Sequence, residues 1–291
     1  MGFLVLGGFF LVKLGQLNHS PAYNWEKILP TPAAYPKNSS ANPPPTVTAN
    51  SLAVIDVDSG VVLWEKNSQV ATSPASTTKM MTALVSLENY QLGQILTVGD
   101  LSKVDGQKIK LKEGEKLTVE NLLYAMLVGS ANDAAITLAE NFPGGQSGFV
   151  WAMNQKAVEM GLKNTHFTNP VGYDDANHYS SASDLGAIAI QAIKSSEIAK
   201  IVATEKIDFT DVSGKIRHSV SNVNTLVGKL PGVKGIKTGW TQVAGECLVS
   251  LVERDNHRVV ISLLGSQDRF KETQAIIEWV FGNFQWELPP R

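Results

Sequence analysis

Seven of the 13 prolines lie between Pro21 and Pro45, mixed with Ser, Asn, Ala and Thr. Proline fixes φ and has no amide hydrogen, so neither a helix nor a central strand can run through such a stretch. Its composition favours extended polyproline II and buries too little apolar surface to order itself. The chain is thereby divided into a short apolar start, a stiff polar tether and a folded part from Ser51 onward. Gly2 to Val12 are uncharged and almost entirely apolar. That run is shorter than the ~20 residues of a spanning helix, and no basic residues precede it as in a secretory signal. It reads as an export signal or anchor whose start lies upstream, or as a buried strand of the domain. The tether that follows favours the first, and Ser20-Pro21-Ala22 is a weak cleavage site that would permit release. The expected organisation is a signal or anchor over 1–17, a disordered linker over 18–50, one domain over 51–281 and a tail over 282–291.

Composition narrows the function classes. With 25 basic and 27 acidic side chains the formal charge is −2, not the basic excess of a general nucleic-acid binder, so no nucleic-acid partner is expected. A single cysteine, Cys247, rules out a disulfide framework and a Cys-cluster metal site. His19, His166, His178, His218 and His257 show no HxxxH or HExxH spacing, so neither a metal nor a cofactor is expected.

The folded part opens with strand-like Leu52 to Val57, a turn at Asp58-Ser59-Gly60 and a returning strand over Val61 to Glu65. A helix is predicted from Ser76 to about Tyr90, with Met80, Ala83, Leu84 and Leu87 as its buried stripe. Lys108 to Lys112 alternates like a short exposed strand. Thr118 caps a helix closed by Gly129. Further helices are predicted over Asn132 to Asn141 and Ser147 to Met160, and from Ser181-Ala182-Ser183-Asp184 toward Ile193. Val233 to Thr241, Gly245 to Val252 and Val259 to Gly265 read as strands, with a turn at Arg254 to His257, and a last helix runs from about Arg269 to Phe281. Strands first, helices in the middle and strands with a helix last predict an α+β fold. One antiparallel sheet, assembled from both ends of the domain, is flanked by helices and a mainly helical subdomain.

Three short motifs carry chemistry. In Ser76-Thr77-Thr78-Lys79 the helical spacing brings the amine to the hydroxyl. Lysine activates a serine only if burial or neighbouring charge lowers its pKa toward neutrality. Ser130-Ala131-Asn132, between two helices, offers a hydroxyl to relay a proton and an amide to hold a substrate or steady the lysine. Lys237-Thr238-Gly239 offers charge and hydroxyl to a carboxylate, and a glycine that lets a substrate backbone approach. Each alone has a plain structural reading: an exposed helix start, a helix cap, a strand with an outward lysine. Their order, and the placement of each where its chemistry needs it, argues for one site. His166 and His178 read as surface or capping residues, Cys247 as a small core side chain, and Asp133 and Asp184 as helix-start acids.

Together the motifs resemble those of the penicillin-recognising serine acyl-transferases, and within them the low-molecular-weight D-alanyl-D-alanine carboxypeptidases. The resemblance rests on Pro74 to Thr82, Gly129 to Ala134, Asn169-Pro170-Val171-Gly172-Tyr173 and Gly235 to Thr241, and spans roughly Ser51 to Phe281. It implies that Ser76 is the acylated nucleophile and Lys79 its base. By the same resemblance, Ser130 and Asn132 assist proton transfer and substrate placement, and Lys237 and Thr238 receive a terminal carboxylate. The oxyanion hole would be formed by the backbone N–H groups of Ser76 and Trp240. The expected substrates are peptidoglycan stem peptides, with β-lactams as covalent inhibitors, outside the cytoplasm. Two departures stand out. The β-rich C-terminal domain and amphipathic helix of many such enzymes are not seen in this sequence, so tethering to the membrane is expected through the N-terminal segment. Trp240 occupies a position where some members have histidine. Rival readings are a D,D-endopeptidase with the same residues and a catalytically silent wall-binding module. A β-lactamase is disfavoured because no Glu-x-x-Leu-Asn segment lies between Asn132 and Lys237.

Overall fold

The computed structural model describes residues 34–40 and 42–288. From the N-terminal side come β1 (Tyr35–Asn38), β2 (Ser51–Asp56) and β3 (Val62–Lys66), then a 3₁₀ turn (Ala75–Thr78) that runs directly into α1 (Lys79–Asn89). The short pair β4 (Ile95–Thr97) and β5 (Lys116–Thr118) opens a helical half containing α2 (Val119–Val128), α3 (Asn132–Glu140), α4 (Gly145–Glu159), α5 (Ala182–Ala192) and α6 (Ser196–Val202). A hairpin of β6 (Lys206–Thr210) and β7 (Arg217–Ser221) leads to β8 (Val233–Thr241), β9 (Gly245–Arg254) and β10 (His257–Ser266). Last come α7 (Arg269–Asn283) and β11 (Phe284–Glu287).

The main sheet is antiparallel, in the order β3-β2-β10-β9-β8. The sheet is assembled from both ends of the domain, as the pattern predicts, and the strands that join the two ends are β2 and β10, Leu52 opposite Leu263. β9 and β10 are joined through Asp255 and Asn256, both at positive φ (51° and 62°), as the right-handed twist of a two-residue hairpin demands. Alternation along β2 sends Ala53 and Ile55 into the core shared with the helical half. Leu52 and Val54 point to a second core, closed by Ile276, Ile277 and Val280 of α7. The side chains of Thr118, Ser181, Ser195 and Asp268 cap α2, α5, α6 and α7, each contributing about 1 kcal/mol. β8 is left at one edge of the sheet.

Three expectations are revised. The last part of the 18–50 linker belongs to the domain. β1 pairs with β11, Ala49 is fully buried, and Thr48 and Ala49 donate their N–H groups to the Glu272 carboxylate. A proline-rich segment cannot join a sheet centre, but it can lie extended on a surface that supplies acceptors. The 282–291 tail likewise supplies β11. Lys108 to Lys112 is not a strand: the N–H groups of Ile109 and Leu111 are taken by the Asp133 carboxylate instead of a neighbouring strand. The apolar run over 2–12 and the linker as far as residue 33 lie outside the described residues. Among the described residues, no helix is long and apolar enough to cross a membrane.

Candidate active site

Pro74 and Ala75 turn the chain sharply into α1. Ala75 sits at φ 48°, and the turn is tightened by Thr77 Oγ1 on the Pro74 carbonyl (2.6 Å) and Thr78 Oγ1 on that of Ala75 (2.8 Å). Ser76 is thereby held at the start of the helix, half-buried, with Lys79 one turn on. The Lys79 ammonium donates to Ser76 Oγ (2.8 Å), Asn132 Oδ1 (2.6 Å) and the Val171 carbonyl (2.9 Å). It is wholly buried, and that burial pulls its pKa down to about 7, against the opposing charge of Asp133.

The third of those acceptors is set by a loop. Asn169 Oδ1 accepts the N–H groups of Val171, Gly172 and Tyr173 (3.2, 2.7 and 3.0 Å), which fixes the direction of the Val171 carbonyl. Gly172 lies at φ 93°, and a Cβ there would stand 1.9 Å from the Ala75 carbonyl oxygen. Only glycine lets this loop close on the Ser76 turn. His178 braces the same turn from behind. Its Nδ1 accepts the Thr168 N–H (3.0 Å), so Nε2 carries the proton and donates to Thr78 Oγ1 (2.8 Å). Burial holds its pKa down at about 4. The surface or capping role expected of His178 is therefore corrected: it is an internal, neutral brace.

Ser130 joins α2 to α3 at φ 58°. Asn132 opens α3 and is anchored by its amide on the Asp105 carbonyl (2.7 Å), which also accepts the Tyr173 hydroxyl (2.9 Å). From β8, the Lys237 amine donates to Ser130 Oγ (2.8 Å) and to the Thr238 carbonyl (2.9 Å). Burial first, then the charges of Lys79 and Arg269, hold Lys237 well below an ordinary lysine. Gly239 passes so close to the nucleophile turn that a Cβ on it would lie 3.1 Å from the Ser76 nitrogen.

The structure brings all eight sequence-selected residues (Ser76, Lys79, Ser130, Asn132, Lys237, Thr238, Gly239 and Trp240) to one place. Ser76, Ser130, Asn132, Thr238 and Trp240 line a cleft of about 490 Å³, and the two lysines lie beneath its serines. Trp240 stands at the mouth, 63% exposed. Sequence reasoning missed Arg269, which also lines the cleft. It donates to the Gly239 carbonyl (2.7 Å), and among the described residues its buried Nε has no partner. No local motif marks it; it arrives at the end of β8 only because α7 starts there. Among the described residues, no cluster of His, Cys, Asp or Glu is placed to hold a metal ion.

A sheet edge facing a helical half, with two serine hydroxyls each bonded to a buried amine, defines a serine acyl-transfer class of enzyme. The family model for D-alanyl-D-alanine carboxypeptidase, peptidase S11, matches residues 37–268, and the chain belongs to that family. It is 34% identical over 81% of its length to the D-alanyl-D-alanine carboxypeptidase DacF of Bacillus subtilis. It is 30% identical over 83% of its length to a D-alanyl-D-alanine endopeptidase of Pseudomonas aeruginosa, of which it covers 82%. The Streptomyces K15 DD-transpeptidase structure superposes with TM-score 0.79 at 30% identity, over 83% of this chain and all of that one. The chain spans 63–64% of the length of several carboxypeptidases it matches.

Proposed function

We propose that this protein is a serine D-alanyl-D-alanine carboxypeptidase that removes the terminal D-alanine from peptidoglycan stem peptides through an acyl-enzyme. The observation that carries the proposal is the buried Lys79 amine on Ser76 Oγ, its pKa brought to about 7 by burial. In the neutral form this amine takes the Ser76 proton as Oγ attacks the carbonyl of the penultimate D-alanine. The proton passes by way of Ser130 to the departing D-alanine nitrogen, and the C–N bond breaks. Lys79, neutral again, then activates the water that cleaves the ester and restores Ser76. The oxyanion is received by the N–H groups of Ser76 and Trp240, a reading supported by the close approach of Gly239 to the Ser76 nitrogen. Thr238 and Arg269 receive the terminal carboxylate, a reading supported by the place of both residues in the cleft wall. Lys237, expected from the resemblance to receive that carboxylate, is buried and donates to the Ser130 hydroxyl, and here it polarises Ser130 from below. β-Lactams acylate Ser76 by the same route.

The site of action is outside the cytoplasm, with the apolar N-terminal segment as the membrane tether. Labelling by a fluorescent penicillin, with measured release of D-alanine from a stem pentapeptide, tests the activity. Labelling with cleavage of cross-linked dimers but not of pentapeptide would favour the endopeptidase reading that the Pseudomonas relative carries by name. Absence of labelling would leave the silent wall-binding module.

A further inference from the structure

Beside the cleft runs a second groove, of about 310 Å³, whose lining includes Gln107, Lys108, Lys110, Gly129 and Arg217. Gln107 lines both depressions, and Gly129 on its floor precedes Ser130. Among the described residues, its walls carry three cations, Lys108, Lys110 and Arg217, and no carboxylate. Among the described residues, none of the three cations is in a salt bridge. Lys108 gives one N–H to the Val104 carbonyl (2.7 Å) and keeps the rest. Asp208 on the β6–β7 hairpin accepts from Ser219 and lies in the field of Arg217, offsetting part of the positive charge.

The groove is built rather than incidental. One wall is the 108–111 loop, in which Lys110 is held at φ 66° and two N–H groups are pinned by buried Asp133 (3.3 and 3.0 Å). Asp133 follows Asn132 in α3, so one helix sets both this wall and the cleft. The other wall is β7, packed so tightly that a Cβ on Gly129 would lie 2.7 Å from Val220. Behind it the buried pair His218 and Glu115 (2.5 Å) ties the hairpin to the turn that follows the loop.

We infer that this groove is a specificity subsite for a second carboxylate, carried on the peptide arm of the substrate and distinct from its terminal carboxylate. The inference rests on the carboxypeptidase reading above. Gln107 borders both depressions, so an occupant of the cleft lies next to the groove. Lys110 and Arg217 supply the attraction, and exposure makes it modest and salt-sensitive.

The test uses peptides ending in D-alanyl-D-alanine whose preceding residue carries a side-chain carboxylate or the corresponding side-chain amide. The full chain should prefer the acid by about 3- to 30-fold in kcat/KM at low salt, and the preference should shrink toward unity at high salt. Lys110→Gln with Arg217→Gln should reduce it to within about twofold, through loss on the acid. Lys163→Gln, the same charge change at an exposed lysine away from both depressions, should leave it intact. Equal turnover of acid and amide by the unmodified chain overturns the subsite while leaving the carboxypeptidase standing, as does a preference that survives the double variant. Charge-dependent retention on a phosphodiester polymer, lost in the double variant without change in the acid-to-amide ratio, also overturns it in favour of a polymer site. Failure to cleave either peptide overturns the subsite together with the activity on which it rests.

Discussion

The Lys79 amine lies 2.8 Å from Ser76 Oγ and has no access to solvent. One helical turn sets the distance; the burial is set by residues from elsewhere in the chain. Asn132 and the Val171 carbonyl close over the amine, which keeps three acceptors and no exposed surface. Desolvation penalises the ammonium form, which makes a base of a side chain that is otherwise fully protonated at neutral pH.

Acylation should accordingly follow the neutral fraction of Lys79. With a pKa of about 7 in the folded protein, the rate of penicillin acylation rises with pH through that value. It should be about tenfold lower at pH 6 than on the alkaline plateau. The check is the second-order acylation rate from pH 5.5 to 9, and a flat profile would assign the proton to another group.

Ser76→Ala should abolish labelling and D-alanine release with unchanged circular dichroism, since a half-buried hydroxyl on a formed turn is dispensable to the fold. Lys79→Ala should slow acylation by about 10²- to 10⁴-fold. Rapid labelling of either variant counts against the assigned pair.

Arg269 and Lys237 should separate when acid and C-terminal amide substrates are compared. A charge-assisted bond to the terminal carboxylate contributes about 1.5–3 kcal/mol, or about 10- to 150-fold. Arg269→Gln should remove most of the acid preference. Lys237→Gln should slow both substrates, because its amine reaches Ser130 rather than the cleft. If Lys237→Gln alone erased the preference, the carboxylate would belong to that lysine.

Gly172→Ala should cost about 2–4 kcal/mol of stability and slow acylation as well, because the loop that carries the Val171 carbonyl cannot close over a Cβ 1.9 Å from Ala75 O. Urea unfolding and penicillin labelling read the two effects. Wild-type values in both would mean that the loop has room it does not show.

Truncation should distinguish two cut points. Removing residues 1–33 keeps β1 and should preserve turnover of a soluble peptide. Removing residues 1–50 deletes β1 and strips the N–H groups of Thr48 and Ala49 from the Glu272 carboxylate, at a cost of at least about 3 kcal/mol. Equal urea midpoints for the two proteins would return the segment to the linker.

Most of the elements could be read from local pattern alone, whereas the eight motif residues were singled out by the order of three weak motifs and by the family resemblance. Period and capping are short-range properties: Thr118 and Ser181 announce their helices, and Arg254 to His257 its turn. That one sheet draws strands from both ends of the domain followed from the order of elements; that β2 meets β10 did not. Local pattern misled where a segment's partners are distant. Alternation over Lys108 to Lys112 suggests a strand, yet Asp133 takes its amides. The prolines suggest a free tether to residue 50, yet Glu272 holds its end.

Within the site, the sequence by itself determined that Ser76 and Lys79 share one turn, and the order of the motifs grouped Ser130 and Lys237 with them. Only the tertiary structure decided that Lys79 is fully buried, that Lys237 reaches Ser130, that His178 is an internal brace and that Arg269 enters the cleft. Spacing along a helix is fixed by covalent geometry and survives in any context. Desolvation and long-range encounter depend on how the sheet edge, the 169–173 loop and the start of α7 pack together, and no short stretch of sequence encodes that packing.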